Sequence, residues 1–260
     1  MAQHRARKRF GQHFLTDPGV IDAIVRAVHP AEDDVLVEIG PGQGAITGPL
    51  ASRAGHLHLI ELDRDLAGHL RKTYDNNPKI TVHEADALKF DFAKLGDDIR
   101  VVGNLPYNIS TPLLFHLLKF REQILDMHFM LQKEVVDRMA AGPGSKAYGR
   151  LGIMLGCYMN IEALFDVPPE AFDPPPKVHS AIVRLDPLPD GTYPIDNEAK
   201  LSTLVATAFM QRRKTVRNSL RKEADAADFD AVGIDAGLRP EQIAIGDYVR
   251  LSNHLQRKSR

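Results

Sequence analysis

Three short apolar runs of this 260-residue chain end in residues suited to holding a nucleotide-like ligand. The first, VLVEI (35–39), runs straight into EIGPGQGAIT, where Gly40, Gly42 and Gly44 stand in a G-x-G-x-G spacing. A glycine-rich turn after a strand lets ligand atoms approach the backbone closely. The spacing is not the G-x-G-x-x-G of a dinucleotide fold, and no Walker lysine follows. Glu38, an acid just before the first glycine, suits the ammonium at the amino-acid end of S-adenosylmethionine. Taken alone, the loop is a weak motif, with a plain tight turn as the alternative. The next two strand ends decide between these readings. HLHLIELD (56–63) carries Glu61, placed to accept both ribose hydroxyls, and ITVHEAD (80–86) carries Asp86, placed to accept an adenine amino group. One strand-end acid is ordinary, whereas two in succession after a glycine loop describe a cofactor site.

The fourth run, IRVVGN (99–104), opens into Asn104, Leu105, Pro106 and Tyr107. Asparagine and proline form turns, so a strand-ending turn is the plain reading. The chemical reading starts from the exocyclic amine of a nucleobase, a poor nucleophile because its lone pair is delocalised into the ring. The Asn104 side-chain oxygen and the Leu105 carbonyl could accept hydrogen bonds from that amine. Pro106 would stiffen the turn, and Tyr107 would stack on the base. Methyl transfer to the amine then needs proximity and in-line geometry more than a strong base. It requires no metal and no covalent nucleophile.

These residues need a scaffold that brings strand ends together. Strand-like runs at 35–39, 56–63, 80–86, 99–104 and 127–131 alternate with helical stretches such as Asp65 to Tyr74 and Thr111 to Phe120. This is the rhythm of βαβ units and a parallel sheet wound on both faces. LGIMLGCYM (151–159) and SAIVRL (180–185) read as two more strands, joined through the proline-rich VPPEAFDPPPKV. After the turn-rich DPLPDGTYP (186–194) the pattern predicts helices only, over 198–212, 214–223, 225–236 and 240–256. The expected organisation is an α/β domain over 1–188 and a small all-α domain over 189–260.

Charge is distributed unevenly around a net value of −1. Residues 1–15 hold Arg5, Arg7, Lys8 and Arg9 without an acid, and 211–222 hold Arg212, Arg213, Lys214, Arg217, Arg221 and Lys222, again without one. An acidic body with two basic segments fits a polyanionic partner, although a single such run reads equally well as a solvated face. No run of about 18 apolar residues predicts a membrane span, and no secretory leader is expected from the basic start. A lone cysteine, Cys157, excludes a disulfide framework and a thiolate zinc site. It reads as a small buried hydrophobe, in a protein of the reducing cytoplasm. His56 and His58 share a strand face without a third ligand at metal spacing, so no metal site is expected.

The motifs RKRFGQHFL, EIGPGQGAIT, HLIELD, HEADAL, GNLPYNIS, MLQKEV, FDPPPKVHSAIVRL and RRKTVRNSL, in that order, resemble the series of the ribosomal RNA adenine dimethyltransferase family. The resemblance runs from about residue 7 to at least 220. Within the family it is strongest to the small-subunit branch, which puts two methyl groups on each of two adjacent adenosines in the 3′-terminal hairpin of small-subunit (16S) rRNA. It implies a Rossmann-like class I methyltransferase sheet with a reversed last strand, a helical C-terminal domain and S-adenosyl-L-methionine as cofactor. The implied substrate is the rRNA of an immature small ribosomal subunit.

Residue by residue, the resemblance implies that the tail folds over the cofactor and contacts it through His13 and Leu15. Gly40 and Gly42 then face the methionine end, Glu61 the ribose, Asp86 the adenine, and Asn104 both cofactor and target amine. Phe172 would sandwich a flipped adenine against Tyr107. Arg7, Lys8, Arg9, Lys177, Arg212, Arg213, Lys214 and Arg217 are the expected RNA contacts. His13 replaces the family's usual asparagine, leaving the strength and pH dependence of its contact open. Two rivals stay open: methylation of one adenine in large-subunit rRNA, and a binding factor gating subunit maturation. Nothing demands more than a monomer, and no membrane association is expected.

Overall fold

The computed structural model describes residues 13–106 and 108–258. In chain order, β1 (Phe14–Leu15), α1 (Pro18–Val28), β2 (Val35–Ile39), α2 (Thr47–Ala51), β3 (His56–Glu61), α3 (Arg64–Thr73), β4 (Ile80–Glu84), β5 (Ile99–Asn104), α4 (Ser110–Leu117) and β6 (Ile124–Gln132) form the first part. There follow α5 (Lys133–Ala140), α6 (Arg150–Gly156), β7 (Met159–Val167), β8 (Phe172–Asp173) and β9 (Ser180–Pro187). The chain closes with α7 (Glu198–Met210), α8 (Val216–Ser219), α9 (Ala226–Ala231) and α10 (Ile245–Lys258).

Seven strands form one sheet in the order β4-β3-β2-β5-β6-β9-β7. β2, β3, β4, β5 and β6 pair in parallel, and β9 runs antiparallel to β6. This is the expected sheet with a reversed strand near its edge. Parallel pairing aligns the carboxyl ends of β2, β3, β4 and β5 at one edge, so residues far apart in sequence meet there. The central strands read as near-continuous apolar runs because helices cover both faces, and Leu36, Leu57, Leu59 and Val101 are fully buried. Each such aliphatic side chain contributes roughly 1.5–3 kcal/mol of burial.

Local signals place the flanking helices. Asp17 caps α1 by accepting from Val20 N at 2.9 Å, with Pro18 as the first helical residue. Asp63, two residues after Glu61, caps α3 by accepting from Asp65 N at 2.9 Å. A second, two-stranded sheet pairs β1 antiparallel with β8, in the register Phe14↔Asp173 and Leu15↔Phe172.

The chain divides into two compact units, 1–136 with 162–187, and 137–161 with 188–260. The single boundary expected between 188 and 189 therefore needs correction. Residues 137–161 leave the sheet unit and supply Tyr148, Ile153, Met154 and Cys157 to the core built with Leu201, Val205, Phe229, Tyr248 and Leu251. The stretch read as a strand over 151–159 is instead helix α6 followed by the start of β7, a strand the sequence reading missed. A short apolar run carries no period that separates a buried helix from a buried strand. Gly152 shows the tertiary cause: a Cβ there would lie 2.8 Å from the Arg138 carbonyl, so glycine lets the two backbones approach. The helices expected over 214–223 and 225–236 shorten to α8 and α9, and the last begins only at Ile245.

Candidate active site

The carboxyl edge of the sheet opens into a cavity of about 380 Å³, all of whose lining belongs to the sheet unit. That size lies within the range of small-molecule pockets. Gly40, Gly42, Glu61, Asp86, Asn104, Leu105 and Pro106 all line it, as do His13 and Leu15 of the tail segment. Four strand ends and a returning tail are thus gathered at one place.

The glycine loop has left-handed backbone at Gly40 (φ 66°), Gly42 (φ 58°) and Gly44 (φ 83°), conformations that side-chain-bearing residues rarely adopt. Gly40 N donates to the Ile60 carbonyl at 2.9 Å, tying the loop to β3. Gly42 N donates to Glu61 Oε2 at 3.1 Å, and Asp63 N donates to Oε1 at 2.8 Å. Glu61 is 6 % exposed. Burial pushes its carboxyl above the usual range, and those backbone N–H groups pull it back. A carboxylate offers about four lone-pair sites, so each oxygen keeps acceptor capacity toward the cavity.

Glu38 is buried beside the loop and accepts from Thr47 Oγ1 at 2.7 Å. Burial pushes its carboxyl up to about 8, against the Thr47 bond and with the help of nearby Glu61. At neutral pH it therefore presents an oxygen acceptor rather than the full anion expected from sequence. Asp86 is half-buried on the wall, its Oδ1 accepting from Leu88 N at 3.0 Å.

At the end of β5, Asn104 Nδ2 donates to the His13 carbonyl at 3.4 Å, which directs Oδ1 to the other side of the amide as an acceptor. Leu105 N donates to the Met130 carbonyl at 3.2 Å, and the Pro106 carbonyl accepts from Ile109 N at 3.1 Å. These two bonds fix the turn while spending neither Asn104 Oδ1 nor the Leu105 carbonyl. Tyr107 lies outside the described residues, as do Arg7, Lys8 and Arg9. The tail is held by the β1–β8 pairing, and His13 Nδ1 donates to the Pro174 carbonyl at 2.7 Å. The imidazole that replaces asparagine is thus anchored to the proline-rich link.

Two expected side chains stand elsewhere. Phe172 is 4 % exposed and packs in the core with Leu15, Ile24 and Ile182, not on the cavity wall. Strand alternation gives this placement, directly behind the wall residues Leu15, Ile24 and Ile182: pairing with β1 turns Phe172 inward and leaves Asp173 outward. Arg212, expected at an RNA phosphate, donates instead through Nη2 to the carbonyls of Lys146 at 2.9 Å and Tyr148 at 3.3 Å. Its guanidinium also lies 5.7 Å from the Phe209 ring centre. Arg213, Lys214 and Arg217 are exposed on the helical unit, and Lys177 is exposed on the sheet unit. Sequence reasoning missed Phe14, whose ring lines the cavity and lies 3.3 Å from where a Cβ on Gly42 would stand. It also missed His128, a buried imidazole on β6 that lines the cavity from within an apolar run.

His56 and His58 have ordinary partners: Thr81 Oγ1 lies 3.0 Å from the first, and His83 Nε2 lies 3.1 Å from the second. Among the described residues no helix is long and apolar enough to cross a membrane.

The sheet order, the reversed strand and an acid-lined cavity at the carboxyl edge define a Rossmann-like methyltransferase. The chain belongs to the ribosomal RNA adenine dimethylase family, whose model matches residues 3–257. It is 57 % identical over 259 residues to the ribosomal RNA small subunit methyltransferase A of Aromatoleum aromaticum, covering 100 % of this chain and 97 % of that one. It is 56 % identical over 252 residues to the protein of the same name from Thiobacillus denitrificans, covering 97 % and 98 % of the two chains. The crystal structure of a dimethyladenosine transferase from Plasmodium falciparum superposes with a TM-score of 0.83 at 26 % identity, covering 95 % of this chain and 98 % of that one. The 23S rRNA methyltransferase ErmE superposes with a TM-score of 0.73, also at 26 % identity, covering 94 % and 99 %.

Proposed function

We propose that this enzyme transfers methyl groups from S-adenosyl-L-methionine to N6 of two adjacent adenosines in the 3′-terminal hairpin of small-subunit rRNA, during assembly of the subunit in the cytoplasm. The observation that carries the reading is a single cavity holding both an acid-lined nucleoside site and the Asn104–Pro106 turn. Full-length similarity to relatives named for the small subunit supports that substrate over the large-subunit one.

The residues fit the cofactor on the hydrogen bonds they keep open. Glu61 retains an acceptor site on each oxygen for the two ribose hydroxyls, and Asp86 stands at the next strand end for the adenine amine. Gly40, Gly42, His13 and Leu15 would enclose the amino-acid end, with Glu38 as a neutral acceptor. When bound, the cofactor supplies an electrophilic methyl on a sulfonium. Asn104 Oδ1 and the Leu105 carbonyl would accept from the N–H bonds of the adenine amine, two for the first transfer and one for the second, which turns its lone pair toward the methyl. As the N–C bond forms, the sulfonium C–S bond breaks to leave the neutral thioether, and one N–H proton is released to solvent at each transfer. Pro106 holds that carbonyl in place, and Tyr107 stacks on the base. The cavity walls exclude water and fix the in-line approach, which supplies most of the rate. Phe172, packed behind the wall residues Leu15, Ile24 and Ile182, would close on the flipped adenine opposite Tyr107.

The helical unit, acting as a monomer's second grip, would hold rRNA phosphates through Arg213, Lys214 and Arg217. Lys177 and the tail residues Arg7, Lys8 and Arg9 would add contacts from the sheet unit's side of the sequence. The test is transfer of labelled methyl to purified small subunits lacking the modification, followed by nucleoside analysis. Dimethyladenosine in the 3′-terminal hairpin is the expected product. Label on large-subunit rRNA alone would overturn the substrate assignment.

A further inference from the structure

Two methyl groups on one adenine amine make a demand that a single methyl does not. After the first transfer N6 carries one methyl and one hydrogen, and for the second that hydrogen again needs an acceptor. The methyl then stands where an N–H stood before. It cannot donate to an oxygen, and an oxygen pressed against it loses its own bond. The methyl therefore needs an apolar recess beside Asn104, on the side away from the incoming donor.

Sheet order shows which side that is. β5, ending in Asn104, stands between β2 and β6. Gly40, Glu61 and Asp86 stand at the ends of β2, β3 and β4, so the groups assigned to the cofactor lie on the β2 side. On the other side Met130 of β6 is the register partner of Asn104, and Ile182 of β9 is the register partner of Met130. Register partners present their side chains to one face of a sheet, and neighbouring strands lie roughly 5 Å apart. Met130 and Ile182 therefore stand one and two strands from Asn104 on its own face. Both line the cavity, although only 2 % and 1 % exposed, so the space they bound is narrow. Leu15 and Ile24 line it too and pack in the same cluster, with Phe172 behind them. The wall here is thioether and aliphatic, with the His128 imidazole two residues further down β6. Methionine suits such a place, being unbranched with three rotatable bonds that let it swing aside.

We propose that Met130, backed by Ile182, takes up the first methyl group during the second transfer and so sets the product at dimethyladenosine. The inference rests on the amine-holding role given to Asn104 above. In the second transfer the remaining N–H is accepted at the Asn104–Pro106 turn while the methyl already present turns toward β6. N6 then bonds to the incoming methyl, the C–S electron pair stays with the thioether sulfur, and the last N–H proton leaves to solvent. Met130 touches the substrate's methyl and none of the bonds being made or broken, so it determines specificity for the second step.

The test follows N6-methyladenosine and N6,N6-dimethyladenosine over time by mass analysis of nucleosides, with the full chain acting on small subunits that lack the modification. Met130→Phe fills the recess and is expected to slow the second transfer roughly tenfold or more relative to the first, so that monomethyladenosine accumulates. Met130→Ile keeps the volume close and suits a strand, but its branched Cβ holds it stiffly in place. It should lower the same ratio by about threefold, and it carries the test if Met130→Phe fails to fold. A general packing defect would slow both transfers alike. Equal slowing, or an unchanged ratio, in folded Met130→Phe (or in Met130→Ile where the phenylalanine variant does not fold) overturns the recess. An unsubstituted protein that forms neither methylated nucleoside would instead overturn the reaction reading on which the recess rests.

Discussion

The sheet unit and the helical unit carry their working groups in opposite ways. In the sheet unit, Glu61, Asp86 and Asn104 stand at aligned strand ends, and backbone N–H and carbonyl groups hold them. Their positions follow from the parallel register of β2, β3, β4 and β5. In the helical unit, six cations sit in a 12-residue stretch, and neighbours that sequence does not display decide which of them face solvent. Arg212 is bound to two carbonyls of the 146–148 segment, while Arg213 and Lys214 next to it are exposed. A charge in a motif is therefore weaker guidance to a contact than a carboxylate at a strand end.

The comparison can be broken first at the Asn104–Pro106 turn. Asn104→Ala should lower methyl transfer by roughly a hundredfold or more, the scale of losing a positioned polar group at the reacting centre. Cofactor affinity should fall only a few-fold, through the lost bond to the His13 carbonyl. Unsubstituted-level turnover in labelled-methyl assays would remove Asn104 from the mechanism. Glu61→Ala should act the other way round. Its loss should show in calorimetry as roughly ten- to hundredfold weaker cofactor binding, since hydrogen bonds to a charged group contribute about 1.5–3 kcal/mol. An unchanged affinity would exclude the ribose role.

A smaller effect separates neighbours in the helical unit. Arg213→Ala and Lys214→Ala should each reduce the slope of log affinity against log salt for rRNA by about one, with the melting temperature unchanged. Arg212→Ala should leave the slope near its original value and cost about 1–2 kcal/mol of stability, because it breaks hydrogen bonds within the protein. The reverse pattern would show that Arg212 turns outward to meet RNA.

The smallest effect lies in the sheet unit but off the cavity wall. Burial, and then the neighbouring His56 and His83, hold the His58 imidazole down at about 4. Its ordinary value is near 6.5, so between these limits the unfolded chain binds more protons than the folded one. Stability should rise with pH across that window and level off above it. His58→Phe should flatten the rise in denaturant melts at pH 4.5, 5.5 and 7; an unaltered slope would assign it to other groups.

Much of the cavity was legible because it obeys short-range rules. A glycine loop after a strand, an acid at each of the next two strand ends and a turn-forming N-L-P-Y each announce themselves within a few residues. The sheet follows from the alternation of apolar runs and helical stretches, and only a parallel arrangement aligns all those ends. The burial of Phe172 was not legible, because the sequence shows an aromatic but not the β1 register that turns it inward. Tail and link are more than 150 residues apart in the chain, and nothing local encodes their pairing. The 151–156 segment was misread for a similar reason, its apolar run fitting a buried helix or a buried strand equally.

Sequence alone determined the fold class, the family and the strand-end groups that meet at one cavity. It did so because those signals are local and periodic. Tertiary structure decided which unit claims residues 137–161, which of two adjacent arginines is spent internally, and that a histidine inside an apolar strand faces the cavity with a carboxylate behind it. Each of these depends on contacts between distant segments, where burial and hydrogen-bond satisfaction, not residue type, set the outcome.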